Sequence, residues 1–149
     1  MDTEILKAEV FDPVAERLKR KAESLKHVRK RERSGIEGWL KVEAVAALGD
    51  RVVALQNKGP DLQLRVRGRD VCVELKAATD CNTSYILGGL RKYGAPVLFL
   101  GSTDKVTACV ERLKKGSTIV AHETFERCWI VGLIIPADYD MDAACSRKR

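Results

Sequence analysis

Apolar and polar residues alternate through Leu62, Leu64 and Val66, and again through Val71, Val73 and Leu75. A period of two marks half-buried strands, and Arg67-Gly68-Arg69-Asp70 between them predicts a β-hairpin. Gly68 as first central residue suits a two-residue type II′ turn. That turn pairs Arg67 with Asp70, Gln63 with Glu74 and Asp61 with Lys76. A symmetric four-residue loop keeps this pairing, whereas a three-residue loop slips one strand. Strand parity puts Asp61, Gln63, Glu74 and Lys76 on one face, opposite the Leu/Val face.

The same patterns divide the rest of the chain. Asp12-Pro13 suits a helix start, with Asp12 as N-cap. Val14, Leu18, Ala22, Leu25 and Val28 then form a narrow apolar stripe. Ser34 and Glu37 have the spacing of a capping box for a second helix, which runs to about Leu48 before Gly49. Ile36, Leu40, Glu43 and Ala47 share one face of it, so Glu43 is an acid on a largely apolar side. Glu37 has a local role as cap and can pair with Lys41. Arg51–Gln56 reads as a strand. Ser84–Tyr93 reads as a helix stopped by Gly94 and Pro96, and its Gly88-Gly89 pair implies a close approach to the sheet or to a phosphate. Pro96–Leu100 is apolar throughout, as a central strand would be. A helix through Val106, Cys109, Val110 and Leu113 follows, then strands at Thr118–Ala121 and Trp129–Ile135. The strand–helix–strand crossover from Val71 to Leu100 should be parallel and right-handed. The predicted architecture is α/β, a mixed sheet flanked by helices, with an extra basic N-terminal helix. Its divisions are a basic helix over 1–34, a core over 35–136 and a frayed tail over 137–149.

Charge adds one feature. The 149 residues carry a net charge of +6, but residues 17–33 hold nine Lys or Arg against two Glu, a net +7. Such a block suggests a polyanionic partner or a solvated helix face. Lys19, Arg20, Lys30 and Arg31 project away from the apolar stripe and are the candidate nucleic-acid contacts. The stripe itself calls for burial on this domain or on a second copy of the chain, which would make a homodimer. No apolar run approaches the ~20 residues of a membrane span, and the first twelve residues do not read as a signal peptide. An intracellular location, with no membrane partner, is the expectation. Five cysteines without CxxC spacing and two distant histidines argue for reduced structural thiols over a zinc site.

The hairpin face carries the candidate chemistry. Two carboxylates and an ammonium on neighbouring strands can hold a divalent cation with a positive charge beside it. Pro60-Asp61, then Glu74-Leu75-Lys76 thirteen residues on, with Glu43 on the preceding helix, resembles the PD-(D/E)xK nuclease superfamily of restriction-endonuclease-like fold. The resemblance covers roughly residues 35–100. Within that superfamily the chain looks most like archaeal Holliday junction resolvases and small restriction-type nucleases. The resemblance implies Asp61, Glu74 and the Leu75 carbonyl as ligands of Mg²⁺ or Mn²⁺, and Glu43 completing the shell directly or through water. It implies Lys76 as the group that orients the attacking water and offsets transition-state charge. The expected activity is metal-dependent hydrolysis of phosphodiester bonds in nucleic acid, with DNA favoured over RNA. The alternative is a non-catalytic nucleic-acid-binding or assembly module on the same fold.

Overall fold

The computed structural model describes residues 2–28, 33–56, 59–78 and 80–142. Among these residues the α-helices are α1 (Asp2–Leu6), α2 (Asp12–Arg20), α3 (Ala22–Val28), α4 (Arg33–Leu48), α5 (Thr83–Tyr93) and α6 (Val106–Lys114). The strands are β1 (Val52–Leu55), β2 (Leu62–Val66), β3 (Arg69–Ala78), β4 (Val97–Ser102), β5 (Thr118–Phe125) and β6 (Trp129–Ile135). They form one mixed sheet in the order β1-β2-β3-β4-β6-β5. β3 and β4 are parallel, as the crossover through α5 requires, and the other neighbours are antiparallel.

Helices cover both faces. Leu62, Leu64, Val66, Val71, Val73 and Leu75 pack under the N-terminal helices and α4. Val97, Phe99, Ile130 and Ile134 pack under α5 and α6. β4 and β6 are buried along their whole length, so their continuous apolar runs follow from two-sided cover.

The N-terminal segment departs from its expected form. The chain is helical from Asp2, through a π-helical turn at Lys7–Phe11, straight into α2. Asp12 therefore lies inside a continuing helix and does not cap it; its carboxylate accepts from Lys7 Nζ at 3.2 Å. The expected single helix over 14–33 breaks at Lys21, whose φ of −100° and ψ of 10° leave the helical region. Its stripe is buried on this domain: Val14, Leu18, Ala22 and Leu25 join Leu6, Val10 and Phe11 in the main core. Each large aliphatic or aromatic side chain buried there contributes roughly 1.5–3 kcal/mol, so the segment is part of the fold. The start of the tail is also packed. Met141 is buried, and its N–H donates to Asp2 Oδ2 at 3.1 Å.

Two further expectations are corrected. Helix α4 begins at Arg33, so Ser34 lies within it and not at its cap position. Cys81 and Cys109 are joined in a disulfide that ties the loop before α5 to α6, so these thiols are not reduced. Cys128 is the free cysteine among the described residues. No described helix is long and apolar enough to cross a membrane.

Candidate functional site

The hairpin turn decides the geometry. Arg67 and Gly68 are its two central residues, with φ of 51° and 79°, and Val66 pairs with Arg69. Two consecutive left-handed residues make a type I′ turn, which matches the strand twist. Gly68 is thus the second central residue, not the first. Each strand is displaced by one residue from the expected pairing, so Gln63 faces Cys72 and Leu62 faces Val73. A total slip of two preserves side-chain parity. The same residues share the face, but Asp61 now stands opposite Glu74 instead of Lys76.

Direct contacts follow. The Asp61 N–H donates to Glu74 Oε1 at 3.2 Å, and the Leu75 N–H donates to Asp61 Oδ2 at 2.9 Å. Lys76 Nζ lies 3.2 Å from Glu74 Oε2 and 4.4 Å from the Tyr85 ring centroid. Helix α5 brings Tyr85. Asn82 caps that helix by accepting from the Tyr85 N–H at 3.1 Å, and Gly94 ends it in the left-handed conformation. Gly89 is where α5 crosses the site. A Cβ there would lie 2.9 Å from Lys76 Cε and 3.2 Å from Glu74 Cγ. An added side chain would displace the Lys76 and Glu74 side chains of the site, so Gly89 makes the close approach to the sheet, while nothing lies within 4 Å of a Cβ at Gly88.

Glu74 is 5% exposed. Burial pushes its carboxyl up, the hydrogen bond and charge of Asp61 push it further, and Lys76 opposes both, leaving it at about 7 against an ordinary 4.5. For Lys76, burial pulls the ammonium down, but the charges of Glu74, Tyr85 and Glu37 and the hydrogen bond to Glu74 outweigh it, and the net shift is upward.

The Glu74 shift has a measurable consequence. Between pH 4.5 and about 7 the folded chain holds a proton on Glu74 that the unfolded chain has released. Stability supplied by that proton is fully present below 4.5 and is lost as pH rises through 7. The loss is about 3 kcal/mol for a shift of this size. Urea unfolding of the cation-free protein across this range should show the decline in wild type and a flatter profile in Glu74→Gln. Equal slopes in the two proteins would contradict the assignment.

An open depression of about 260 Å³ adjoins the pair, lined by Glu37, Gly38, Lys41, Asp61 and Leu75. Glu37 and Lys41 reach it from one face of α4. The Glu37 carboxylate accepts from Tyr85 Oη at 2.8 and 2.9 Å. Its side chain is therefore engaged across the site rather than as a local cap.

The candidate residues divide accordingly. Asp61, Glu74, Leu75 and Lys76 come together. Glu43 does not join them: it accepts from Arg17 Nε of α2 at 2.7 Å and is 12% exposed. It is an inward acid, but it faces the N-terminal helices. Lys19 is paired with Glu123 of β5, Arg20 is exposed, and Lys30 and Arg31 lie outside the described residues. Sequence reasoning missed Tyr85 and Lys41 and assigned Glu37 elsewhere. The available signal was the i, i+4 spacing of Glu37 and Lys41, which puts both on a face that Glu43 does not share. Among the described residues, no group of three or more His, Cys, Asp or Glu is placed to hold one metal ion. No family model matches the chain, and no curated protein or solved structure matches it.

Proposed function

We propose that this chain is a divalent-metal-dependent endonuclease of the PD-(D/E)xK type, hydrolysing phosphodiester bonds in nucleic acid, with DNA the favoured substrate. The observation that carries the reading is the contact of Asp61 with Glu74 and the Leu75 N–H, one step beyond the last β2–β3 pair, with the Lys76 ammonium on Glu74. The mixed sheet with helices on both faces agrees with a restriction-endonuclease-like architecture.

The donor set fits a hard cation. Asp61, Glu74 and the Leu75 carbonyl supply oxygen alone, and Mg²⁺ characteristically keeps several waters and needs few protein ligands. Burial, with the Asp61 carboxylate beside it, raises Glu74, and a bound cation would stabilise the ionised form against both. Bound Mg²⁺ or Mn²⁺ supplies a more acidic water and positive charge at the phosphate. Asp61 and Glu74 would hold the cation, with Glu74 ionised. Lys76, kept protonated, orients the attacking water and offsets charge gained in the transition state. Lys41, at the edge of the depression, faces the phosphate backbone. Glu37 takes the role that the resemblance gave to Glu43, because it lines the same depression as Asp61.

The non-catalytic alternative places the working surface on the basic N-terminal segment. Lys19, one of its four candidate cations, is already occupied by Glu123, which favours the hairpin site. Cleavage of plasmid DNA by the purified chain, with and without Mg²⁺, tests the reading. Nucleic-acid binding without cleavage under any divalent cation would leave the binding module.

The two helical acids separate cleanly. Glu37→Gln should lower turnover about tenfold or more, as loss of an outer-shell partner does. Glu43→Gln should leave turnover unchanged and cost roughly 1.5–3 kcal/mol of stability, the range for a hydrogen bond to a charged group. Steady-state cleavage and thermal melts of both variants check this. Impaired turnover in Glu43→Gln alone would overturn the exchange of roles.

A further inference from the structure

Gln56, just past the end of β1, and Asp61, just before β2, continue a row that reaches Glu74 in β3. The Gln56 N–H donates to the Asp61 carbonyl at 3.0 Å, which sets these two residues opposite each other just beyond the last β1–β2 pair. The Gln56 side chain lies on the same face as the carboxylates, because its Nε2 donates to Gln63 Oε1 at 3.4 Å, and Gln63 is two residues from Asp61 along the chain. The other end of this amide is unusual. Gln56 Oε1 is buried and has no hydrogen-bond partner, the one such side-chain atom among the described residues.

A buried acceptor left unpaired costs about 1–3 kcal/mol. Once ionised, the carboxylates in the row cannot relieve it, since they are acceptors too. Three acceptor groups therefore share one row and one face of the sheet, with Lys76 bound to the far one. A single hard cation answers all three, because carboxylate and amide oxygens together are an ordinary ligand set for such ions. The Gln56 amide also adds an oxygen ligand to a site where, among the described residues, no three His, Cys, Asp or Glu are placed to hold one ion together, so that Glu37 acts through water.

We propose that Gln56 Oε1 is the third side-chain oxygen of the cation site, bound to the ion held by Asp61 and Glu74 either directly or through one of its waters. The inference rests on the metal-dependent reading above and extends it to a residue outside the PD-(D/E)xK pattern.

Mn²⁺ alone, titrated into the full chain without nucleic acid and followed by electron paramagnetic resonance, is the probe. Wild type should bind, and Asp61→Asn should not. Gln56→Met should weaken Mn²⁺ affinity at least about tenfold, while the cation-free protein melts at a higher temperature because the unpaired acceptor is gone. Gln56→Glu should bind Mn²⁺ at least as tightly as wild type. Without cation it should melt lower, since it adds a carboxylate beside two others, and Mn²⁺ should restore it. These opposite responses would not arise if Gln56 only supported Gln63. Wild-type affinity in Gln56→Met, or lost affinity in Gln56→Glu, overturns the role of Gln56 and leaves the metal site standing. Failure of wild type to bind Mn²⁺ at millimolar concentration overturns the metal site and this inference together.

Discussion

Asp61→Asn and Glu74→Gln should each reduce DNA cleavage by about three orders of magnitude or more, a loss at least as large as removal of one preorganised electrostatic group. Neither change should unfold the chain. The amide oxygen introduced by Asp61→Asn can still accept the Leu75 N–H that Asp61 holds at 2.9 Å. Glu74→Gln removes a buried charge next to Asp61, so this variant should melt higher than wild type above pH 7 in the absence of divalent cation. Both variants should bind nucleic acid as well as wild type or more tightly, because each removes negative charge near the phosphates. Cleavage assays, melts and filter binding on the same preparations separate these effects. Wild-type turnover in either variant would end the assignment of the pair.

Lys76→Met should lower turnover by about two to three orders of magnitude with a smaller change in KM, since the ammonium acts mainly on charge that develops in the transition state. Methionine preserves the unbranched stem that lies against Gly89, where even one added Cβ would come within 2.9 Å of Lys76 Cε. Arginine is longer and forked and should not rescue the site. The substitution also removes the charge and the hydrogen bond by which Lys76 lowers the Glu74 carboxyl. The acid limb of the pH–rate profile should therefore move to higher pH. The cation-free variant should be less stable than wild type at about pH 8 and close to it at about pH 5, where Glu74 is protonated in both. Turnover within about threefold of wild type would reduce Lys76 to a partner that neutralises Glu74 and nothing more.

The charge block at 17–33 shows how far one-dimensional patterning reaches. Apolar spacing correctly marked Val14, Leu18, Ala22 and Leu25 for burial, because burial of a stripe depends only on helical period. What the opposite face does was not legible. Lys19 meets Glu123 across 104 residues of sequence, a contact that no local pattern encodes. Helix starts failed for a related reason. Asp12 and Ser34 have the chemistry of caps, but both lie inside helices. At Asp12 the helix continues because tertiary burial of Leu6, Val10 and Phe11 outweighs a single capping hydrogen bond.

Local patterning was enough to place the six strands and helices α4, α5 and α6, to say that β3 and β4 run parallel, and to say which residues share the hairpin face. Alternation with period two and the demands of a crossover connection decide those points. Patterning could not distinguish Asp61 opposite Lys76 from Asp61 opposite Glu74, because a slip of two leaves every side chain on its face and every apolar residue buried. The left-handed conformations of Arg67 and Gly68 decided it. Nor could it choose between Glu37 and Glu43. Both are acids on one helix, and the apolar stripe marks only which of them points inward. Which neighbour each acid meets, Arg17 for Glu43 and Tyr85 for Glu37, depends on where α2 and α5 pack against the finished sheet. That information exists in the folded chain alone, since both partners come from elements distant along the sequence.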